Sequence, residues 1–299
     1  MKCFGEMMDV CIVLHGGLGN QLFQWAFGHS DFNPDSRINF IHIEPSRGGL
    51  DHTKESVRNL KIPCTHGTFK DVKKKSFGKI DFEIKKRINQ RFPNVYRDNY
   101  FDYTSTPFDV PTNLDHNPKK KKVTYLGYFQ NYDLIFRNQE TLAREVWSAL
   151  DARELSQLET GLQGEEIVHI RGATLEGKEY LKAHGVLDRA FLETLFQLNN
   201  APKIIVTNEP NYASVVSQGL NVRAIIGPNQ LDSIQTLSVM ARAKSLYCAN
   251  STLSWWGGFL CQYRGGDVYI PSPFYKNYTP NPRGAYNFPG FRKIQSTFN

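Results

Sequence analysis

Residues 11–28, CIVLHGGLGNQLFQWAFG, constrain this chain more than any other stretch. Ile12 to Leu14 form a short apolar run that reads as a buried strand. Gly16, Gly17 and Gly19 follow and permit a tight turn with backbone angles closed to other residues. Leu22, Phe23, Trp25, Ala26 and Phe27 then recur at spacings that suit the buried face of a helix. A strand, a glycine turn and a helix together aim backbone N–H groups at an anion. Asn20 and Gln21 fall in the first helical turn, where polar side chains can meet a ligand. Taken alone, such a corner is equally a packing device, because glycine-rich turns are common.

The alternation continues along the chain. Arg37–Ile43 reads as a second strand, and residues 44–70 as loop with one short helix, broken by Pro45, Gly48, Gly49, Pro63 and Gly67. Residues 71–122 are basic, with a short helical stretch at 80–89. Residues 123–132 read as a strand running into a turn, and 134–150 as a helix with Ile135, Leu142, Val146, Trp147 and Leu150 on one face. The polar, turn-rich stretch 151–165 marks a boundary between domains at 1–155 and 156–299. Beyond it, strands at 166–171, 203–208, 222–226, 244–248 and 267–270 alternate with helices at 187–198, 212–218, 233–243 and 250–260. This pattern predicts parallel β/α units in a doubly wound sheet. Ligands of such sheets sit at the carboxyl ends of the strands.

Several residues stand at those ends. His169-Ile-Arg171 closes a strand, and an arginine there offers a planar fork suited to phosphate or to a structural ion pair. Asn250, Ser251, Thr252 and Ser254 put small polar groups where an apolar helix begins, an arrangement that can hold a pyrophosphate. Asp232 opens another helix, where it reads as an N-cap or as an acceptor for a ligand's paired N–H groups. Tyr128 and Gln130 end the 123–132 strand.

The chain has 299 residues, 40% apolar and 22% charged, enough for a substantial core without disulfides. Its five cysteines are scattered with no CxxC spacing and read as reduced thiols of an intracellular protein. No Cys/His cluster has metal-ligand spacing, so no metal is expected. No run of about 18 apolar residues occurs, and the start, with Glu6 and Asp9, lacks a signal-peptide pattern. A cytoplasmic location is the expectation. Net charge is +7, and residues 70–122 carry 14 Lys and Arg against 7 Asp and Glu, the whole excess. Such a segment reads first as a solvated surface. As a functional patch it suits peripheral contact with an anionic membrane, at its inner face, or with an acidic glycan. Nucleic acid is the weakest reading and is not expected as a partner, because no recognised binding motif accompanies the charge.

GGLGNQLFQWA at 16–26 resembles the N-terminal signature of the α-1,2-fucosyltransferases, usually GGLGNQMFQYA. NSTLSWW at 250–256 resembles that family's NSSFSWW. GYFQ at 127–130, His184-Gly-Val, Asp232 with Leu237, Ser238 and Met240, and the Ile270-Pro271 strand end follow family patterns in the right order. The resemblance implies a GT-B fold, two Rossmann-like domains with parallel sheets facing a central cleft. The N-terminal half would face the acceptor through Tyr128 and Gln130. The C-terminal half would bind GDP-fucose.

The implied reaction is inverting transfer of L-fucose to the 2-hydroxyl of a terminal galactose on a glycan, with no metal and no cofactor besides the donor. Arg171 would hold the β-phosphate, and Asn20 would orient the acceptor hydroxyl. Gly17, Gly19, His169, Asp232, Asn250, Ser251, Thr252 and Ser254 would line the donor. The family's His-Val/Ile-Arg-Arg-Gly-Asp motif is not complete here. Gly172-Ala173-Thr174 replaces Arg-Gly-Asp, with Glu176 as an acidic substitute, and Asn208-Glu209 stands where Ser-Asp-Asp is usual. No general base is identified, and His15 occupies a position the family leaves variable. Two alternatives stay open on the sequence: a non-catalytic GDP-sugar or glycan-binding relative, and a fucosyltransferase of different linkage.

Overall fold

A strand covered on both faces must be apolar along its length, and from Val10 to Leu14 no residue is more than 4% exposed. The computed structural model describes residues 8–29, 32, 36–43, 57, 59–67, 98–103, 122–172, 178–277, 286 and 288–299. The chain divides into two units, Met1–Asn138 and Gln139–Asn299.

The first unit contains β1 (Asp9–Leu14), α1 (Leu18–Phe27), β2 (Arg37–Ile43), β3 (Thr65–Gly67), β4 (Asp98–Tyr103), β5 (Lys122–Gly127) and α2 (Tyr132–Arg137). Its sheet has the order β3-β2-β1-β5-β4, and every pairing is parallel. Register at the edge is fixed by Asp9 opposite Arg37, whose side chains make a 2.8 Å ion pair.

The second unit contains α3 (Gln139–Asp151), α4 (Gln157–Gly161), β6 (Glu166–Ile170), α5 (Lys178–His184), α6 (Arg189–Phe196), β7 (Lys203–Thr207), α7 (Pro210–Val216), β8 (Val222–Ile226), α8 (Ser233–Ala241), β9 (Ser245–Tyr247), α9 (Thr252–Tyr263), β10 (Asp267–Ser272) and β11 (Arg292–Gln295). Its sheet runs β11-β10-β9-β6-β7-β8, again parallel at every pairing. One core joins Val168, Ile170 and Ile205 of the sheet to Phe191, Leu195 and Val216 of the helices. The expected fold class holds: α/β, with two Rossmann-like units built on parallel sheets.

The boundary differs from the expected 155/156. The expected single helix over 134–150 is two helices, α2 and α3, separated at Asn138, whose side chain donates to His29 O at 3.0 Å. α3 belongs to the second unit because Trp147 anchors it there. The indole is 5% exposed, donates to Leu260 O at 3.4 Å, and lies against the guanidinium groups of Arg242 and Arg264 at 4.8 and 4.7 Å. The chain therefore divides before α3, while the turn-rich stretch after it is only a connection, capped by a Ser156–Glu159 capping box at α4.

The basic segment 70–122 lies outside the described residues except for β4 and Lys122, and so does the expected helix at 80–89. At the amino edge of the second sheet a charge is buried outright. The Lys203 ammonium is 2.7 Å from Asn199 Oδ1 and 3.8 Å from a Glu166 carboxylate oxygen. Burial lowers its pKa, and Glu166 opposes that shift.

In the same unit α9 packs closely on α8 because Gly257 has no side chain. A Cβ there would lie 2.7 Å from Met240 Cβ on α8. Gly257→Ala must push the two helices apart, and a loss of about 1–3 kcal/mol in unfolding free energy is expected, measured by urea denaturation. An unchanged midpoint would show that the helix pair tolerates wider spacing.

Candidate functional site

In the first unit, β2 and β3 extend the sheet on one side of β1 and β5 and β4 on the other. The order reverses at β1/β5, the place where open α/β sheets bind ligands. The chain turns from β1 into α1 through Gly16, whose φ of +77° only glycine adopts without strain. Gly17 is the N-cap, and its carbonyl accepts from Asn20 N and Gln21 N at 2.9 and 3.1 Å. Gly19 is buried inside the first turn of α1.

Gln21 differs from expectation. It is fully buried and faces no ligand: Nε2 donates to Gly16 O at 2.7 Å and Oε1 accepts from Val57 N at 3.2 Å. Gln24 is buried as completely. Its Oε1 accepts from His15 N at 2.8 Å and its Nε2 donates to Gly127 O at 2.9 Å.

Asn20, Tyr128 and Gln130, drawn from two separate segments, meet here. Gln130 Nε2 donates to Asn20 Oδ1 at 2.9 Å. The Tyr128 ring lies 4.8 Å from the His15 ring, centroid to centroid, tilted by 55°. Burial raises the Tyr128 pKa, so the phenol stays protonated. Between Tyr128 and Gln130 stands Phe129, with φ +50°, an outlier for an aromatic residue. Its ring is fully buried and stacks on Phe27 at 4.1 Å, which holds the strained backbone in place. No sequence signal marks that strain. The short GYFQ stretch looks like an ordinary strand end.

In the second unit the order reverses between β6 and β9, which are neighbours in the sheet. Arg171 leaves β6 and Asn250–Ser251 follow β9, so both flank the same switch point. The loop after β6 is clamped to the end of β7 by reciprocal bonds. Gly172 N donates to Asn208 Oδ1 at 2.9 Å, and Asn208 Nδ2 donates to Gly172 O at 3.1 Å. A Cβ at Gly172 would lie 2.6 Å from Glu209 Cδ and 2.7 Å from its Cβ. The two departures from the family pattern, at 172 and at 209, are therefore one steric unit. Ala173, Thr174 and Glu176 lie outside the described residues.

Asn250 is 3% exposed, and its Nδ2 donates to His184 O and Gly185 O, each at 3.1 Å. Ser254 is fully buried, with Oγ accepting from Ala249 N at 2.9 Å. These two shape the turn from within. Ser251 and Thr252 are half-buried at the start of α9, where Ser251 is the N-cap and makes no side-chain cap hydrogen bond. The positive end of the α9 dipole lies at this start, a place that favours anions. Asp232 is exposed and caps α8 in a complete capping box: Oδ1 accepts from Gln235 N at 2.6 Å, and Gln235 Oε1 accepts from Asp232 N at 2.9 Å. Among the described residues no group of three or more His, Cys, Asp or Glu is placed to hold a metal ion. No helix among them is long and apolar enough to cross a membrane.

His169 lies inside β6, 5% exposed, and its Nδ1 has no hydrogen-bond partner among the described residues. Burial, and then the positive charge of Arg171, push its pKa down to about 3. It is a neutral support beneath Arg171.

No family model matches the chain. It is 28% identical over 294 residues to an alpha-1,2-colitosyltransferase of Escherichia coli, a match covering 90% of this chain and 93% of that protein. Among solved structures, it is similar to the E. coli heptosyltransferase WaaC with ADP, with a TM-score of 0.44 at 12% identity over 96% of this chain and 93% of that one. The E. coli ADP-heptose lps heptosyltransferase II gives a TM-score of 0.42 at 10% identity over 96% and 90%.

The neutral His169 makes stability depend on pH. Histidine titrates near 6.5 in an unfolded chain and near 3 at this position. Its contribution is complete above pH 6.5 and is lost as pH falls through that value toward 3. Urea titrations at pH 7 and pH 4.5 are expected to show a larger loss for wild type than for His169→Gln, by up to about 1.4 kcal/mol per pH unit below 6.5. Equal losses in the two proteins would contradict a buried, neutral imidazole.

Proposed function

We propose that this chain is a glycosyltransferase of the α-1,2 fucosyl/colitosyl type. In its specific form the reaction is inverting transfer of L-fucose from GDP-fucose to the 2-hydroxyl of a terminal galactose on a glycan. The observation that carries this reading is the pair of groups at the β6/β9 switch point, Arg171 after one strand and the α9 start after its neighbour. The similarity to a colitosyltransferase over most of both chains supports it. So do the two motifs at 16–26 and 250–256.

As the sugar leaves, negative charge grows on the outer phosphate of the nucleotide. Fixed donors aimed at that charge stabilise the transition state more than the ground state. Arg171 supplies a bidentate cation, and the start of α9 supplies the positive end of a twelve-residue helix dipole. These groups let the transfer proceed without a metal. The sugar passes through an oxocarbenium-like state, by analogy with glycoside cleavage. Asp232 retains a second carboxylate oxygen for a guanine edge while Oδ1 caps α8. The reading includes a cytoplasmic location and contact of residues 70–122 with an anionic membrane face.

One observation favours a second donor. The relative is named for colitose, a 3-deoxy relative of fucose, so GDP-colitose belongs in the same assay.

The test is incubation with GDP-fucose or GDP-colitose and a panel of β-galactosides, reading GDP release and product linkage. An α-1,2-linked product is expected. Arg171→Ala is expected to lower turnover by about 10²–10³, with GDP still bound. Turnover within about threefold of wild type would remove the leaving-group role. GDP binding with neither transfer nor hydrolysis by wild type would favour a non-catalytic relative.

A further inference from the structure

The first unit carries a proton acceptor that the motifs do not announce. Transfer to a hydroxyl needs a group to remove its proton, and a general base contributes about 10²–10⁴ in rate. The connections at the β1/β5 switch point are residues 14–20 and 127–131. Neither they nor the flanking stretches 10–28 and 123–131 contain an aspartate or glutamate. Asp9 stands at the opposite, amino end of β1, and Asp133 lies beyond Asn131, which caps the amide of Asp133 itself at 3.0 Å. The remaining side chain there of a type that exchanges protons near neutral pH is His15.

His15 is built into this corner. Its main-chain N–H is held by Gln24, and its ring packs on Tyr128, 4.8 Å away. Tyr128 is itself fixed by the strained, fully buried Phe129 that follows it. His15, Asn20 and Tyr128 are each half-buried, and His15 Nε2 is itself a buried atom. Gln130 is bonded to Asn20 Oδ1, which fixes the orientation of that carboxamide. Rigid support of this kind is what a catalytic group needs.

We propose that His15 is the general base for the acceptor hydroxyl, with Tyr128 as its positioning residue. This rests on the glycosyl transfer proposed above. The acceptor O–H bond breaks and its proton passes to a ring nitrogen of neutral His15. The oxygen lone pair forms the bond to the anomeric carbon. The bond from that carbon to the diphosphate breaks, and its electron pair leaves on the diphosphate oxygen. The imidazolium then returns its proton to water.

The experiment compares two acceptors in the full-length protein, with whichever of GDP-fucose or GDP-colitose the wild type turns over. One is the galactoside best used by wild type, which must lose a proton. The other is sodium azide, an anion that needs no base. His15→Ala and His15→Gln keep the backbone N–H that binds Gln24, so the corner is retained. Each is expected to lower transfer to the galactoside by about 10²-fold or more, to bind GDP within about twofold of wild type, and to form the glycosyl azide as fast as wild type. Tyr128→Ala is expected to show a smaller loss with the same split between acceptors. Transfer to the galactoside within about threefold of wild type in His15→Ala overturns the proposal. Equal loss with galactoside and azide also overturns it, since that pattern marks a structural role. If wild type turns over neither donor, the proposed function fails first, and this inference with it.

Discussion

A buried backbone group must find a hydrogen-bond partner, and at the β1/β5 switch point the sheet cannot provide one. The two strands pair from Asp9 with Lys122 up to Ile12 with Tyr125 and then part. His15 N–H and Gly127 C=O are left facing each other across the gap. The Gln24 carboxamide spans it, accepting from one and donating to the other. One side chain on α1 thus replaces the missing rung, and it fixes how far the strands may open. Gln21 does the same one turn earlier for Gly16 and Val57. The glutamines of the GNQLFQ stretch are therefore framework, and they decide where Asn20 and His15 stand.

The second unit repeats the device with asparagines. Asn208 holds the loop after β6, and Asn250 holds the His184–Gly185 turn. A carboxamide satisfies a donor and an acceptor without bringing net charge. The two loops are thereby fixed by groups that carry no charge of their own. The buried ion pair of this sheet, Lys203 with Glu166, sits at the other edge, where β6 and β7 begin. Charged side chains at the candidate donor site include Arg171 after β6 and Glu209, whose carboxylate lies against Gly172.

The elements legible in the sequence are those with continuous apolar runs. VCIVL at 10–14, IVHI at 167–170 and IIV at 204–206 read as buried strands, and their alternation with helices pointed to the parallel architecture. β3, with three residues, β4, within a polar stretch, and β11, in which only Ile294 is buried, carry no such pattern. The helix over 134–150 looked continuous because Ile135, Leu142 and Trp147 keep one period across Asn138. The break there reflects tertiary bonding to His29, which no local rule reveals. At the candidate site, the strand ends and helix starts were legible, and the contacts of their side chains were not. Asn250 and Ser254 sit in the predicted turn yet hold it from inside, whereas Ser251 and Thr252 face outward enough to meet a ligand. The pairing of His15 with Tyr128 needed the bend at Phe129, a conformation whose stability comes from stacking on Phe27.

Gly172 and Glu209 also bear on how this chain can change. With Glu209 present, even a methyl group at 172 meets a Cβ and a carboxylate carbon at distances real contacts do not show. The long arginine usual at that point in similar sequences therefore has no foothold. Any side chain at 172 requires residue 209 to shift or to lose its own Cβ. The close approach thus couples the two positions. A second cation at 172 therefore comes only with a displaced residue 209.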